Sequence, residues 1–233
     1  MSLDDNKILN NKQTYWFKVP FIDKFLVKIL LMFREYFFKV FEDNIPYTKD
    51  TKVLDIGTTE SITDQDNIFI KKFKYKNNLT CLSDQNLDNL KSIYPEIKCI
   101  QSDGRNTHLE DNSFEVVHSN ATIEHVGESK EQINFLKECV RISKKYVFLQ
   151  TPNKFFPIEF HTKIPLLHLL PDFIFRKVLK VIGMNYYSDI KNLNLLSQKD
   201  LCKFIKILNI NDYKIIKCKF FFFTSNLILI IKK

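Results

Sequence analysis

Two hydrophobic patterns alternate along this chain. Short apolar runs bounded by turn residues are one of them. Lys52-Val53-Leu54-Asp55-Ile56-Gly57 is the first run, with an acid near its end and a break at glycine. A strand buried on both faces of a parallel sheet has this composition. Comparable runs follow at Leu79–Ser83, Ile97–Gln101, Phe114–His118 and Tyr146–Gln150. Between them, apolar residues recur at helical spacing. Leu87, Leu90 and Ile93 mark a helix that stops before Pro95, and Ile133, Leu136 and Val140 mark another over Glu131–Ser143. Asp66–Phe73 has room for a short third helix. Strands alternating with helices at this pace predict an α/β domain, with a mostly parallel sheet and helices on both faces.

The two ends depart from that rhythm. In Phe21–Phe41, residues Leu26, Ile29, Leu30, Phe33, Phe37, Val40 and Phe41 follow helical spacing. Lys28, Arg34, Glu35 and Lys39 interrupt the run, which makes it a poor transmembrane span. The expectation is a helix laid across the sheet or over a ligand. The mixture of cationic and aromatic residues also allows peripheral contact with a membrane surface. At the other end, Lys214–Phe223 and Leu227–Ile231 flank Thr224-Ser225-Asn226, which predicts a C-terminal antiparallel hairpin turning at that tripeptide. Phe155–Pro171, with His161, His168 and three prolines, reads as an insertion over the carboxyl edge of the sheet. A helix marked by Ile174, Phe175, Val178, Leu179 and Ile182 follows it. Ser197 and Asp200 then form a capping-box candidate before Leu201, Phe204, Ile205 and Leu208. The expected organisation is an N-terminal helical extension over 1–50 and one domain over 51–233, with the insertion at 154–196.

Composition narrows the class. A chain of 233 residues with 45% hydrophobic content can bury one sizeable core. The net charge of +8 comes from scattered lysines, so a solvated surface is expected and a nucleic-acid partner is not. Five cysteines without CxxC spacing suggest neither disulfides nor zinc. The acidic start MSLDDNK has no apolar signal region, and a cytoplasmic location is expected.

Polar groups gather at the strand ends: Asp55 and Gly57, Asp84, Asp103 and Gly104, Ser119 and Asn120. In open α/β sheets, ligands bind at the strands' carboxyl ends. In this order and spacing the set resembles the class I S-adenosylmethionine-dependent methyltransferases, in particular the small-molecule type 11 group. SFEVVHSNATIEHV is similar to that group's fourth strand and following helix, and TPNKFFPIEFHTKIPLLHLLP resembles a block of one bacterial subgroup. The resemblance implies a Rossmann-like sheet and S-adenosylmethionine as cofactor. It implies that Asp55, Gly57 and Thr58 hold the methionine end, with the Asp55 carboxylate accepting from the ammonium. Asp84 would take the ribose hydroxyls. Asp103 would lie beside the adenine amine, with Gly104 offering a backbone donor. Ser119 and Asn120 would lie near the sulfonium. Two features depart from the usual pattern. Thr59 and Ser61 replace two glycines of GxGxG, leaving a DxGxT form of the turn, and Glu115 replaces an aspartate.

In methyl transfer the cofactor carries the reactivity and the protein supplies alignment. A hydroxyl acceptor also benefits from a base, for which histidine is suited. His161, flanked by Glu159 and Thr162, is the leading candidate for that base, and His125 is the second. His108 is expected at the surface and His168 in the core. No ligand spacing suggests a resident metal. The expected activity is methyl transfer to a small-molecule acceptor, at an oxygen of a glycan or lipid-linked intermediate. The alternative is a non-catalytic cofactor-binding or partner subunit. A nicotinamide oxidoreductase is disfavoured because GxGxxG is missing after the first strand. The sequence does not speak to oligomeric state.

Overall fold

The computed structural model describes residues 20–61, 63 and 66–233. Helix α1 spans Pro20–Asn44, and strand β1 (Val53–Ile56) follows it. Next come α2 (Ile68–Lys72), β2 (Leu79–Ser83), α3 (Asp88–Ile93), β3 (Lys98–Gln101) and β4 (Phe114–Asn120). Helix α4 (Ser129–Ile142) leads into β5 (Ser143–Pro152). The later elements are α5 (Asp172–Val181), α6 (Asn185–Ser188), α7 (Gln198–Ile207), β6 (Tyr213–Phe220) and β7 (Phe223–Lys232). The seven strands form one sheet in the order β3-β2-β1-β4-β5-β7-β6. The first five pair in parallel, while β7 pairs antiparallel with both β5 and β6. Strand order reverses between β1 and β4, the position where such sheets open a crevice.

Because side chains alternate along each strand, the sheet builds two cores. Val53, Leu79, Val116, Phe148 and Ile228 face one side, where Phe33, Phe37, Phe38 and Phe41 of α1 and Phe69 of α2 cover them. Leu54, Ile56, Val117, Leu149 and Leu229 face the other side and meet Phe135, Leu136 and Cys139 of α4 and Leu201 and Phe204 of α7. Phe41 is fully buried and sits edge-on to Phe69 and Phe148. The aromatic face of α1 is therefore packed against the sheet. Among the described residues, no helix is long and apolar enough to cross a membrane.

The capping box forms as expected. Ser197 Oγ accepts from the Asp200 N–H, and the Asp200 carboxylate accepts from the Ser197 N–H at 2.8 Å. The hairpin also forms, but its turn lies elsewhere. Phe221 and Phe222 make the two-residue loop, with Phe221 at φ 52°, while Thr224–Asn226 continue β7. Ser225 and Asn226 are buried, and Oγ of Ser225 donates to the Cys218 carbonyl at 3.1 Å. The tripeptide is polar yet lies inside β7, where Ser225 is paired, and the turn itself is built from exposed phenylalanines.

Residues beyond β5 form a small core of their own from Phe175, Leu179, Met184 and Leu193. Asn194 fastens it to the main domain. Its N–H donates to the Glu124 carbonyl at 2.8 Å, and its side chain donates to the Gly127 carbonyl at 3.0 Å. This places the segment over the carboxyl ends of β4 and β5.

Candidate active site

A crevice of about 900 Å³ opens at the carboxyl ends of β1, β2 and β4. Gly57, Thr58, Asp84, Asp103, Gly104, His125 and His161 all line it. Asp84 is exposed directly after β2. Gly104 forms the floor, where an added Cβ would lie 2.8 Å from the Phe135 ring and 2.9 Å from Ile56. Gly57 has φ +90°, and a Cβ there would lie 2.0 Å from the Thr122 hydroxyl. Its missing side chain therefore lets the chain after β4 pass against β1.

The loop after Gly57 is held without further glycines. Asn67 Nδ2 donates to the carbonyls of Thr59 at 2.8 Å and Ser61 at 2.9 Å. Asp66 accepts from the hydroxyls of Ser61 and Thr63 at 2.5 Å each, and Arg34 of α1 donates to it at 3.3 Å. Burial opposes the Asp66 charge, but these hydroxyls and Arg34 hold its pKa below the usual value. The two residues that depart from GxGxG are thus anchored by a polar network.

Asp55, Ser119 and Asn120 do not line the large crevice. Asp55 alternates with Leu54 and Ile56, so it faces the α1 side. There it is buried, with its Oδ1 2.6 Å from His118 Nδ1, and its Oδ2 accepts from the Thr58 hydroxyl at 3.0 Å. Phe69 stacks on His118 at 3.7 Å between ring centroids. Asp55, His118 and Asn120 line a smaller cavity of about 190 Å³, which shares Gly57, Thr58 and Thr59 with the large one. Asp55 thus sits behind the turn, where Thr58 can transmit its position. Ser119 donates to the Ile56 carbonyl at 3.0 Å, tying β4 to β1.

Asp103 has a partner that the sequence did not reveal. Its Oδ1 accepts from the Arg105 N–H at 2.8 Å and Nε at 2.9 Å, and its Oδ2 accepts from Nη2 at 2.6 Å. These bonds hold the Asp103 carboxyl below its usual range. A carboxylate offers about four acceptor positions, so most of Asp103 is committed. Gly104 and the surrounding backbone are left as the freer contacts for a base.

At another wall, the turn Ile123–His125 and the inserted segment bring two histidines together. His125 Nε2 and His161 Nε2 are 3.0 Å apart. His125 Nδ1 is 2.7 Å from the Asn192 carbonyl, and His161 Nδ1 is 2.5 Å from Glu159 Oε1. Glu159 also accepts the backbone N–H groups of His161 and Thr162. Burial opposes its charge, yet His161 and these donors pull its pKa down to about 2. For His161, burial disfavours the imidazolium, but the Glu159 charge and hydrogen bond outweigh it and the pKa rises. Glu124 is fully buried beside the pair, and burial pushes its pKa up to about 7. Glu124 was not among the expected site residues, because in the sequence it is one acid in a helix-start turn. His108 is exposed, and His168 is buried with Nε2 2.8 Å from the Phe156 carbonyl.

Residues 69–149, which carry β2 to β5 and most of the crevice, match the methyltransferase domain family of type 11. Over those residues the chain is similar to that family's domain, and its sheet as a whole has the Rossmann-like methyltransferase fold. Solved structures share its fold. One is a SAM-dependent methyltransferase from Archaeoglobus fulgidus, at 18% identity and TM-score 0.55, covering 86% of this chain and 94% of that one. A SAM-dependent methyltransferase from Thermotoga maritima has 14% identity and TM-score 0.57, with 91% and 94% covered. A third, from Methanococcus maripaludis, has 18% identity and TM-score 0.53, with 90% and 91% covered. No curated protein matches the sequence.

The methyltransferase is an enzyme, and its cofactor is S-adenosylmethionine. The crevice fits that group by its donors and acceptors. An exposed carboxylate, Asp84, stands where two neighbouring hydroxyls could both donate to it. The turn at Gly57–Thr59 presents backbone beside it. Gly104, whose side-chain position is closed by Phe135 and Ile56, keeps the floor flat.

Proposed function

We propose that the methyltransferase acts on an oxygen of a small-molecule acceptor, a glycan or a lipid-linked intermediate. The observation that carries this reading is the His125–His161 pair, in a crevice that Tyr186, Tyr187 and Lys191 also line. When bound, S-adenosylmethionine supplies a methyl group on a sulfonium, and its displacement by a hydroxyl oxygen leaves one proton to be removed. An amine can attack through its own lone pair, whereas a hydroxyl gains most from a fixed basic group. The wall of Glu124, His125 and His161 provides such a place, and Glu159 fixes the His161 ring in orientation. In this reading Asp84, the Gly57–Thr59 turn and Gly104 hold the cofactor, with Asp55 supporting the turn from behind.

An apolar portion of the acceptor is supported by the same sheet edge. Phe221 is 80% exposed, Phe222 95% and Phe155 61%. Pro152 pairs with Asn226, so the hairpin tip and the start of the insertion lie at the carboxyl edge with the crevice.

The test supplies methyl-labelled cofactor with hydroxyl-bearing saccharides, lipid-linked saccharides, amines and RNA. Label in the saccharides is expected, and label confined to amines or RNA would overturn the reading. His161→Asn should lower turnover by about a hundredfold or more while changing S-adenosylhomocysteine affinity less than about twofold. A matching fall in affinity and melting temperature would make His161 structural.

A further inference from the structure

Three donor atoms converge on the wall of the crevice. Glu124 Oε1, His125 Nε2 and His161 Nε2 all lie within 4.8 Å of one another. The two ring nitrogens are 3.0 Å apart, and Glu124 Oε1 is 4.0 Å from His125 Nε2. Glu124 is fully buried, and its Oε1 has no hydrogen-bond partner among the described residues, while its Oε2 accepts from Thr151 Oγ1 at 3.0 Å. A buried carboxylate oxygen without a partner is costly, and this one lies beside two imidazoles.

The imidazoles are oriented as ligands are. His161 Nδ1 donates to the Glu159 carboxylate, and His125 Nδ1 donates to the Asn192 carbonyl. Carboxylates and backbone carbonyls are the usual outer partners of metal-bound histidine. With Nδ1–H committed, each neutral ring presents a lone pair at Nε2, and the two lone pairs meet at 3.0 Å. They repel unless a cation or a proton lies between them. Tetrahedral zinc with bonds of about 2.0–2.1 Å places neighbouring donors about 3.3 Å apart. The observed 3.0 and 4.0 Å bracket that value and the third pair lies within 4.8 Å, so side-chain shifts that draw Glu124 Oε1 towards the two rings complete the geometry.

We propose that Glu124, His125 and His161 bind a divalent cation of the zinc class, with the fourth position open to the crevice. Two imidazoles, one carboxylate and an open position form a donor set suited to zinc. This inference rests on the oxygen-acceptor reading only for what fills the fourth position, a hydroxyl oxygen of the acceptor; with the cation bound, its charge would take the place of a histidine base in easing loss of the hydroxyl proton. No CxxC or HExxH spacing announces the site, because residues 124 and 125 come from the turn after β4 and residue 161 from the inserted segment.

The test uses the full chain, with Zn²⁺ and Co²⁺ as probes. Zinc content is measured by elemental analysis after dialysis against metal-free buffer and again after zinc addition, and cobalt binding by visible absorption. One zinc per chain and a four-coordinate cobalt spectrum are expected. His125→Ala and His161→Ala should each abolish that spectrum, and Glu159→Gln should weaken cobalt binding about 10–100-fold. His108→Ala, in an exposed loop, should leave the spectrum unchanged. Absence of stoichiometric metal and of a cobalt spectrum in the wild type would overturn the site and assign a shared proton to the two rings. A spectrum surviving in both folded histidine variants would overturn it as well. Methyl transfer on the same samples separates the two readings. Protein that takes up neither metal yet methylates hydroxyls removes the site and keeps the function, while metal-bound protein that methylates only amines does the reverse.

Discussion

Gly57→Ala should destabilise the methyltransferase severely, and the reason lies in one contact. Gly57 has φ +90°, and its Cβ position is 2.0 Å from Thr122 Oγ1 and 2.5 Å from Thr122 Cγ2. An L-residue in that backbone region costs about 1–2 kcal/mol. Forcing Thr122 aside adds an overpacking cost of about 1–3 kcal/mol. The Thr122 hydroxyl also lies 3.3 Å from the Ile56 carbonyl and 3.2 Å from the Asn120 carbonyl, and losing its bond costs about 1 kcal/mol more. The sum is about 3–6 kcal/mol, a large share of the roughly 5–15 kcal/mol that holds a domain folded. At about 2–4 °C per kcal/mol for a chain of this size, the melting temperature should fall by roughly 6–24 °C. Urea unfolding of the wild type, Gly57→Ala, Thr122→Ala and the double variant measures it. The double variant should recover part of the loss, because the steric share disappears and the backbone share remains. A single variant within about 1 kcal/mol of wild type, or no recovery in the double, would refute the contact.

Asp84→Ala should weaken S-adenosylhomocysteine binding by about 1.5–3 kcal/mol, the worth of hydrogen bonds to a charged acceptor, while Asp88→Ala leaves it nearly unchanged. Asp84 lines the crevice, whereas Asp88 is exposed on α3 and accepts from Asn86, so calorimetric titrations that agree for both variants would contradict the placement. Glu138 makes stability depend on acid. Burial opposes its charge, but Arg141 and Thr107 bring its pKa from 4.5 down to about 2. The carboxylate is thus favoured in the folded state, and its contribution is full above about pH 4.5 and lost as pH falls towards about 2. The full shift corresponds to about 3 kcal/mol, which solvent at Arg141 (32% side-chain exposure) reduces to about 1–2 kcal/mol. Glu138→Gln should therefore flatten the acid limb of a melting-temperature profile between pH 5 and pH 2. Parallel profiles would rule the contribution out.

The fold was legible where a pattern repeats. Strand runs ending in acids and helices with apolar spacing set the parallel sheet, because a buried strand cannot hide its composition. Leu227–Ile231 and Lys214–Phe223 announced the antiparallel pair, but not its turn, since Phe221 adopts a positive φ that favours glycine or asparagine. The crevice residues Gly57, Asp84, Asp103 and Gly104 follow from strand ends, and Thr58 from the family resemblance. Asp55 shows the limit of that rule. A strand apolar on both faces carries no mark of which face an acid takes, and this one faces His118 under α1. Arg105 stands two residues after Asp103, and local charge of that kind reads as surface until the backbone turn closes the pair. The meeting of Glu124, His125 and His161 spans 36 residues between the two histidines and depends on where an irregular segment lies, which no periodicity encodes.

The central claim is that the crevice at the β1–β4 switch holds S-adenosylmethionine. Isothermal calorimetry with S-adenosylhomocysteine, with NAD as the comparison ligand, tests it most directly. Saturable binding of one S-adenosylhomocysteine per chain is expected, with a raised melting temperature from about 2.7 kcal/mol of added stability at a hundredfold excess over its dissociation constant. NAD should produce neither effect. No heat and no thermal shift with millimolar S-adenosylhomocysteine, or an equal response to NAD, would contradict the account.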